Sequence, residues 1–439
     1  MSDARTVALN LLNRVEQSDS YINLLLPKVL GQSGLEESDR GLVQELSYGT
    51  LRWRLQYDEF INQLTPGKTL SPKLRLCLQL GMHQLFRMRV PAHAAIHTAV
   101  ELVKSFESNA AGLANAVLRN AERKGFEGLL EDSLRGKSEL EKLAIRYSHP
   151  AWVVSALKAA LDADGCPTEL EALLESNNQT PEINLTALPN TEAEVRLNEL
   201  GTEKGSASPI GFVTHGNPEP LLKIPGVRVQ DQGSQLIALA LLEVGNKSGR
   251  WLDMCSGPGG KSAVLEAGIA PDGGKLDCLE PNEQRAELVR QALSKPEVST
   301  VIVSNGQSAK ANTYDAILLD APCSGLGSLR RKPESRWRKK PDQLPGLIKI
   351  QQELLEAAYD ALKPGGHLAY ATCTPTLSET NGQIAAFLDR HPDLELLSAP
   401  GLLQRVNPAL EFSGKRKLAQ LWTHKHGTDA MFLAVLRKP

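Results

Sequence analysis

The chain has 439 residues, with 49 Lys and Arg against 51 Asp and Glu for a formal charge of −2, and 41% of it is hydrophobic. That length exceeds one ordinary core, so two or three domains are expected. The composition excludes a disordered or fibrous chain, the lack of a bilayer-length apolar run excludes a membrane-spanning helix, and near-neutrality argues against a protein that coats nucleic acid everywhere while leaving local patches open.

The opening "MSDARTVALNLL" lacks the basic flank and cleavage site of a secretory signal, so a cytoplasmic address is expected. From residue 4 to about 127 the pattern is helical. Ala8, Leu11, Leu12 and Val15 fall at i, i+3, i+4 and i+7, as do Ile96, Ala99, Val100 and Val103. Loops are expected at 65–72 and 89–93, and "RNAERKG" closes the last helix before Gly125. Cys77 reads as core and His97 as a helix-surface or core-edge histidine.

Residues 128–225 hold a helical piece, "HPAWVVSALKAAL", and short apolar runs, "EINLTAL" and "IGFVTHG", separated by Asn, Pro and Gly. A small α+β unit or structured linker fits. From 226 to 439 short apolar strands alternate with helical segments, from "GRWLDMC" and "KLDCLEP" through "VSTVIVSN", "YDAILLD" and "GGHLAYATC". That alternation predicts a doubly wound α/β domain with a mainly parallel sheet, whose ligands bind beyond the carboxyl ends of the strands. "AMFLAVLRK" follows too closely for a crossover helix, so an antiparallel hairpin at the sheet edge is expected.

"LDMCSGPGGKS", 252–262, passes from strand through glycines into helix and lets backbone N–H groups approach an anionic ligand. A phosphate-binding Walker loop is excluded because Cys255 stands where its first glycine belongs, and the dinucleotide fingerprint because Ser262 stands at its third. An acid about twenty residues on, Glu280, suits a ligand with a carboxylate end and a ribose. S-adenosylmethionine has both.

The six cysteines, Cys77, Cys166, Cys255, Cys278, Cys323 and Cys373, form no C-x-x-C pair and none sits at metal spacing with a histidine. Neither a metal nor a disulfide framework is expected. His424 and His426 lack a suitably spaced partner for a metal. Asp320, Cys323 and Cys373 end strands on the rim of the glycine turn. A thiolate that attacks C6 of cytosine turns C5 into an enamine carbon that accepts a methyl group, a second group helps release, and a carboxyl on the N3 and amino edge stabilises the adduct. Nearby, "RRKPESRWRKK" at 330–340 holds seven basic residues, one acid and Trp337, a combination suited to phosphates and base stacking.

At "DMCSGPGGK", "DAPCSGLGSLRRKPESRW", "YATCTPTLSETN" and "HKHGTDAMFLAVLRK", together with "VQDQGSQL", the sequence resembles the NOL1/NOP2/Sun family of RNA cytosine-C5 methyltransferases. The resemblance implies a Rossmann-like class I methyltransferase with Cys373 as nucleophile, Cys323 as helper and Asp320 at the base. It implies a cofactor site from Cys255, Ser256, Gly257, Pro258, Gly259, Gly260 and Lys261, with Glu280, Asn305 and Asp320. Glu280 and Asn305 stand where the family more often has Asp. The helices resemble the NusB-like RNA-binding domain in "ARTVALNLLNRV", "SDRGLVQELSYGTLRWR" and "ANAVLRNAERKG".

The domains expected are therefore a NusB-like all-α bundle at 1–127, a small α+β extension at 128–225 and the methyltransferase at 226–439. Such a pairing implies 16S rRNA as partner, naked or partly assembled, with cytosine 967 as acceptor and no obligate oligomer. Arg330, Arg331, Lys332, Arg336, Trp337 and Arg338 are the expected RNA contacts, supported by Arg52, Arg54 and the "RNAERK" helix end. The rival readings are a tRNA methyltransferase of the same chemistry and a non-catalytic RNA-binding assembly factor.

Overall fold

The computed structural model describes residues 3–18, 20–414 and 416–439. Its contacts divide the chain into two compact units, 1–155 with 329–338, and 156–328 with 339–439. The helical unit therefore runs past the boundary expected at 127, and the stretch expected at 128–225 is shared between the two.

The helical unit is built from amphipathic helices, among them Ala4–Gln17, Ile22–Ser33, Glu37–Arg52, Arg54–Leu64, Pro72–Arg87, Ala92–Lys104 and Ala111–Leu134. Leu11, Leu12 and Val15 enter its core, as do Ile96, Ala99, Val103 and Cys77. Phe60, Phe86 and Phe126 meet edge to face with ring centres 5.8–6.0 Å apart. Ser71 caps the helix from Pro72, and Ser138 with Glu141 forms a capping box at Glu139–Arg146. Gly125, at φ 74° and ψ 165°, breaks the helix Ala111–Leu134 where the glycine signal placed its end, and a further helical stretch follows it.

The second unit starts with a four-stranded antiparallel sheet of β1 (Ile183–Ala187), β2 (Glu203–Lys204), β3 (Gly211–Thr214) and β4 (Val227–Val229), in the order β2-β3-β1-β4. The larger sheet comprises β5 (Arg250–Asp253), β6 (Lys275–Leu279), β7 (Ser299–Ile302), β8 (Tyr314–Asp320), β9 (Leu362–Thr372), β10 (Glu395–Leu396), β11 (Ala419–Gln420) and β12 (Phe432–Arg437). Its order is β10-β12-β9-β8-β5-β6-β7, with β11 also on β12. The strands from β7 to β9 are parallel, and β12 runs antiparallel to β9 as expected. β11 and the two-residue β10 both pair antiparallel with β12 beyond β9, so the expected hairpin closes this edge of the sheet.

The period of two along the strands sorts the core. Ala316, Leu318, Ala369, Ala371, Leu433 and Val435 pack with the helices Gln232–Leu242 and Gly260–Ile269. Ile317, Leu319, Leu368, Tyr370, Phe432 and Leu436 pack with Leu344–Ala361 and Asn381–Arg390. The chain reverses its direction across the sheet at β5, which pairs with β6 on one side and β8 on the other. Such a switch point opens a crevice at the strand carboxyl ends. Among the described residues no helix is long and apolar enough to cross a membrane.

Candidate active site

The turn after β5 is shaped by glycines whose side-chain space is taken. A β-carbon on Gly257 would run into Glu280 Oε2 and the Arg285 guanidinium, and one on Gly259, at φ 99°, would lie 2.5 Å from the Ala292 β-carbon. Ser256 folds the turn down by donating from its N (3.0 Å) and Oγ (2.9 Å) to the Leu279 carbonyl at the end of β6. Gly260 then begins the helix Gly260–Ile269, whose first amides face the crevice end of the sheet. Cys255 opens this turn; burial pushes its thiol far above the usual range, so it is no nucleophile.

Glu280 is 2% exposed just past β6. Its Oε1 accepts from Asn282 N at 3.0 Å, while Oε2 lies 3.4 Å from Arg285 Nη2. The same Arg285 nitrogen donates to the Gly257 carbonyl at 2.9 Å, linking the acid to the turn. Asn305 is exposed at the end of the loop after β7, with its carbonyl accepting from Ser308. A close backbone turn at a helix start, a buried acid one strand over and a polar group on the next is a cradle that fits S-adenosylmethionine.

Lys261 Nζ donates to Asp320 Oδ2 at 2.7 Å. Burial alone would lower the Lys261 pKa, but Asp320, Cys373 and Asp253 outweigh it and hold it above its ordinary value. Lys261 is therefore a permanent cation among strand-end acids and the Cys373 sulfur. Asp253, at the end of β5, is pushed up to about 6 by burial, opposed by the 2.6 Å bond from Ser262 Oγ.

Cys323 and Cys373 are free thiols with their sulfurs 3.4 Å apart, which places the two expected strand-end cysteines on one spot. Cys323 is held well above the usual thiol range, first by its hydrogen bond to Cys373, then by burial and by the charges of Cys373, Glu379 and Asp320. The loops are pinned to each other. Gly327 N donates to the Cys373 carbonyl (2.8 Å) and its own carbonyl accepts from Ala430 N (2.9 Å), leaving no room for a β-carbon there. Asp231, which caps the helix Gln232–Leu242 through Gly233 N, also accepts from Asp429 N at 3.1 Å. That bond joins "VQDQG" to "HGTDAM".

The basic segment is placed otherwise than expected. Arg336 is fully buried and donates to the carbonyls of Arg52 (3.4 Å) and Ser148 (3.0 Å). Trp337 Nε1 donates to Leu51 O at 2.8 Å, and Arg338 reaches the carbonyls of Val15, Ser18 and Ser20 at 2.5–2.9 Å. Lys332 lies 5.4 Å from the Tyr21 ring, and Arg330 accepts at its carbonyl from Arg52, itself buried. Arg336 and Arg52 are thus buried within the helical unit and turned away from RNA, while Trp337 and Arg338 are half-buried against its carbonyls and keep part of their surface open. The carbonyl partners lie far away in sequence, and the basic pattern alone could not reveal them. Arg54 pairs with Glu16 at 2.6 Å.

Arg285, Ser324, Gln351 and Glu379 were missed by the sequence reading, although Glu379 lies inside the quoted "YATCTPTLSETN". His424 pairs with Glu169 at 2.8 Å, and His426 Nδ1 accepts from Trp422 N at 2.8 Å. Among the described residues no group of three or more His, Cys, Asp and Glu is placed to hold a metal.

Comparison with known proteins follows the same lines. The family model described as 16S rRNA methyltransferase RsmB/F matches residues 239–437, and the NusB family model matches 2–123. A putative methyltransferase of Mycobacterium tuberculosis is 38% identical over 451 residues, covering 100% of this chain and 97% of its own length. The probable ribosomal RNA small subunit methyltransferase B of Bacillus subtilis is 31% identical, covering 100% and 99%. The crystal structure of PH0851 shares the fold over 100% of this chain and 99% of its own, with 21% identity and a TM-score of 0.78.

Proposed function

The chain belongs to the 16S rRNA methyltransferase RsmB/F family, and from that premise we propose that it transfers a methyl group from S-adenosylmethionine to C5 of a cytosine in 16S rRNA. The observation that carries this reading is the Cys323–Cys373 pair, 3.4 Å apart, on the rim that also holds Lys261, Asp320 and the glycine turn. When bound, S-adenosylmethionine supplies a methyl group activated on a sulfonium. Residues 255–261, with Glu280 and Asn305, are the groups that would hold it.

Two thiols so close cannot both ionise, and the hydrogen bond between them raises Cys323. In this reading Cys373 acts as the thiolate nucleophile, with the Lys261 cation nearby. Its sulfur bonds to C6 of the cytosine, and the C5–C6 electron pair makes C5 nucleophilic toward the methyl group. Lys261 meets the negative charge that spreads over the ring, and Asp320 accepts from the exocyclic amino group. Once the charge of Cys373 has entered the C6–S bond, the leading influence that kept Cys323 protonated is gone. Cys323 then gives its proton to solvent and takes the C5 proton; the C5–C6 double bond reforms, the C6–S pair returns to Cys373, and one proton is released per methyl transferred.

Reaching C6 requires an unstacked cytosine, which favours naked or partly assembled RNA. Cytosine 967 is the acceptor that the family resemblance implies. The test is transfer of labelled methyl to unmodified 16S rRNA and to tRNA. Labelling of 16S rRNA at that cytosine, lost in Cys373→Ala and replaced by a protein–RNA adduct in Cys323→Ala, is the expected result. Labelling of tRNA alone would move the substrate, and no labelling by folded protein that binds RNA would leave an assembly factor.

A further inference from the structure

Resting on that reading, we propose that Glu379 is a positioning residue that fixes the Cys323 loop against the Cys373 loop so that the helper thiol meets the base. Glu379 is fully buried, yet it lies on neither strand end and touches neither sulfur among its hydrogen bonds. Its Oε1 accepts from Ser324 N (2.8 Å) and from Gln351 Nε2 (3.1 Å), and its Oε2 from Ser324 Oγ (2.5 Å). Gln351 Nε2 also donates to the Pro322 carbonyl at 2.9 Å, and Gln383 Nε2 donates to Gln351 Oε1 at 3.1 Å.

The peptide groups on both sides of Cys323 are thereby held, Pro322 through Gln351 and Ser324 through Glu379. Ser324 Oγ also lies 2.9 Å from Thr374 Oγ1, and Thr374 follows Cys373. Tyr370 OH donates to the Glu379 carbonyl at 2.8 Å, anchoring the clamp to β9, the strand that ends at the nucleophile. The Ser324 hydroxyl, held by the Glu379 carboxylate, thus connects the residues that follow the two cysteines. The donors it receives are all neutral, so its charge is also felt by Cys323, where it helps keep the proton on the thiol. Geometry leads here: the carboxylate fixes where Cys323 sits, and its charge adds to the Cys373 hydrogen bond and burial that raise the thiol.

Glu379→Gln keeps the volume but replaces one acceptor by a donor. The expected result, in protein that melts like the wild type, is methyl transfer to 16S rRNA slowed about 100-fold, KM for RNA unchanged, and a protein–RNA adduct that accumulates and disappears when Cys373→Ala is added. Adduct build-up is the discriminating readout, because it requires a working Cys373 and a misplaced Cys323. Transfer and adduct levels like the wild type would overturn the proposal. So would an equal fall in both, which marks a merely structural role. Should Glu379→Gln not fold, Ser324→Ala, which removes the shared hydroxyl, is read in the same way. A wild type that transfers no methyl and forms no adduct would instead sink the proposed function itself.

Discussion

At Gly257 a single added carbon separates a binding turn from a blocked one. The β-carbon of Gly257→Ala would meet Glu280 Oε2 and lie 2.8–2.9 Å from the Arg285 guanidinium nitrogens, so the turn or the acid must shift. S-adenosylmethionine binding is expected to weaken at least tenfold, about 1.4 kcal/mol, in calorimetric titration, with melting unchanged. The glycines were legible because only a backbone requirement explains such a run between strand and helix. Arg285 was not, since an arginine on an exposed helix face reads as solvated whether or not it reaches back to a carbonyl. Asp253 gives a pH signature at the same scale. Its pKa is raised to about 6 in the fold, so its proton stabilises the fold at low pH, and that contribution is lost as pH rises through about 6. Asp253→Asn cannot ionise. Its melting temperature relative to wild type should climb between pH 4 and pH 7, by the equivalent of about 1–3 kcal/mol; a constant difference would contradict the raised pKa.

At the scale of elements, Gly125 isolates a backbone contribution. It has φ 74° and ψ 165°, a region open to glycine alone, and nothing lies within 4 Å of where its β-carbon would be. Gly125→Ala therefore adds no clash and removes no contact. It should still destabilise the helical unit by about 1–3 kcal/mol, read as a lower denaturant midpoint with unchanged slope. "RNAERKG" made this break legible, whereas the helical turn beyond it was lost, because Phe126, Leu129 and Leu130 give too short a run to outweigh two glycines. The strands of the larger sheet were legible because the alternation Ala316/Leu318 against Ile317/Leu319 buries both faces. The antiparallel hairpin expected at the sheet edge is formed by β11 and β12, whereas the two-residue β10, also on β12, is too short to leave a pattern.

At the scale of the whole chain, composition misleads most at 329–338. Five basic residues around a tryptophan read as a nucleic-acid surface, and nothing local says otherwise. What decides their role is carbonyls in the sequence-distant residues Val15, Leu51, Arg52 and Ser148, which the arginines and Trp337 satisfy. Burial pulls Arg336 down to about 9, still above neutrality, so a charged guanidinium stays in the core of the helical unit and its neighbours depend on it. Hydrogen exchange should therefore show the amides of 329–338 losing protection together with those of Ala4–Gln17 and Glu37–Arg52, as one cooperative unit. Arg336→Ala should lower the stability of that unit by about 1.5–3 kcal/mol, the range for hydrogen bonds from a charged donor. Had the segment served mainly to hold RNA, its amides would exchange early, Arg336→Ala would leave the unfolding midpoint where it was, and RNA affinity alone would fall. Because a buried side chain cannot also lie against a phosphate, the two roles exclude each other at Arg336, and exchange in RNA-free protein decides between them.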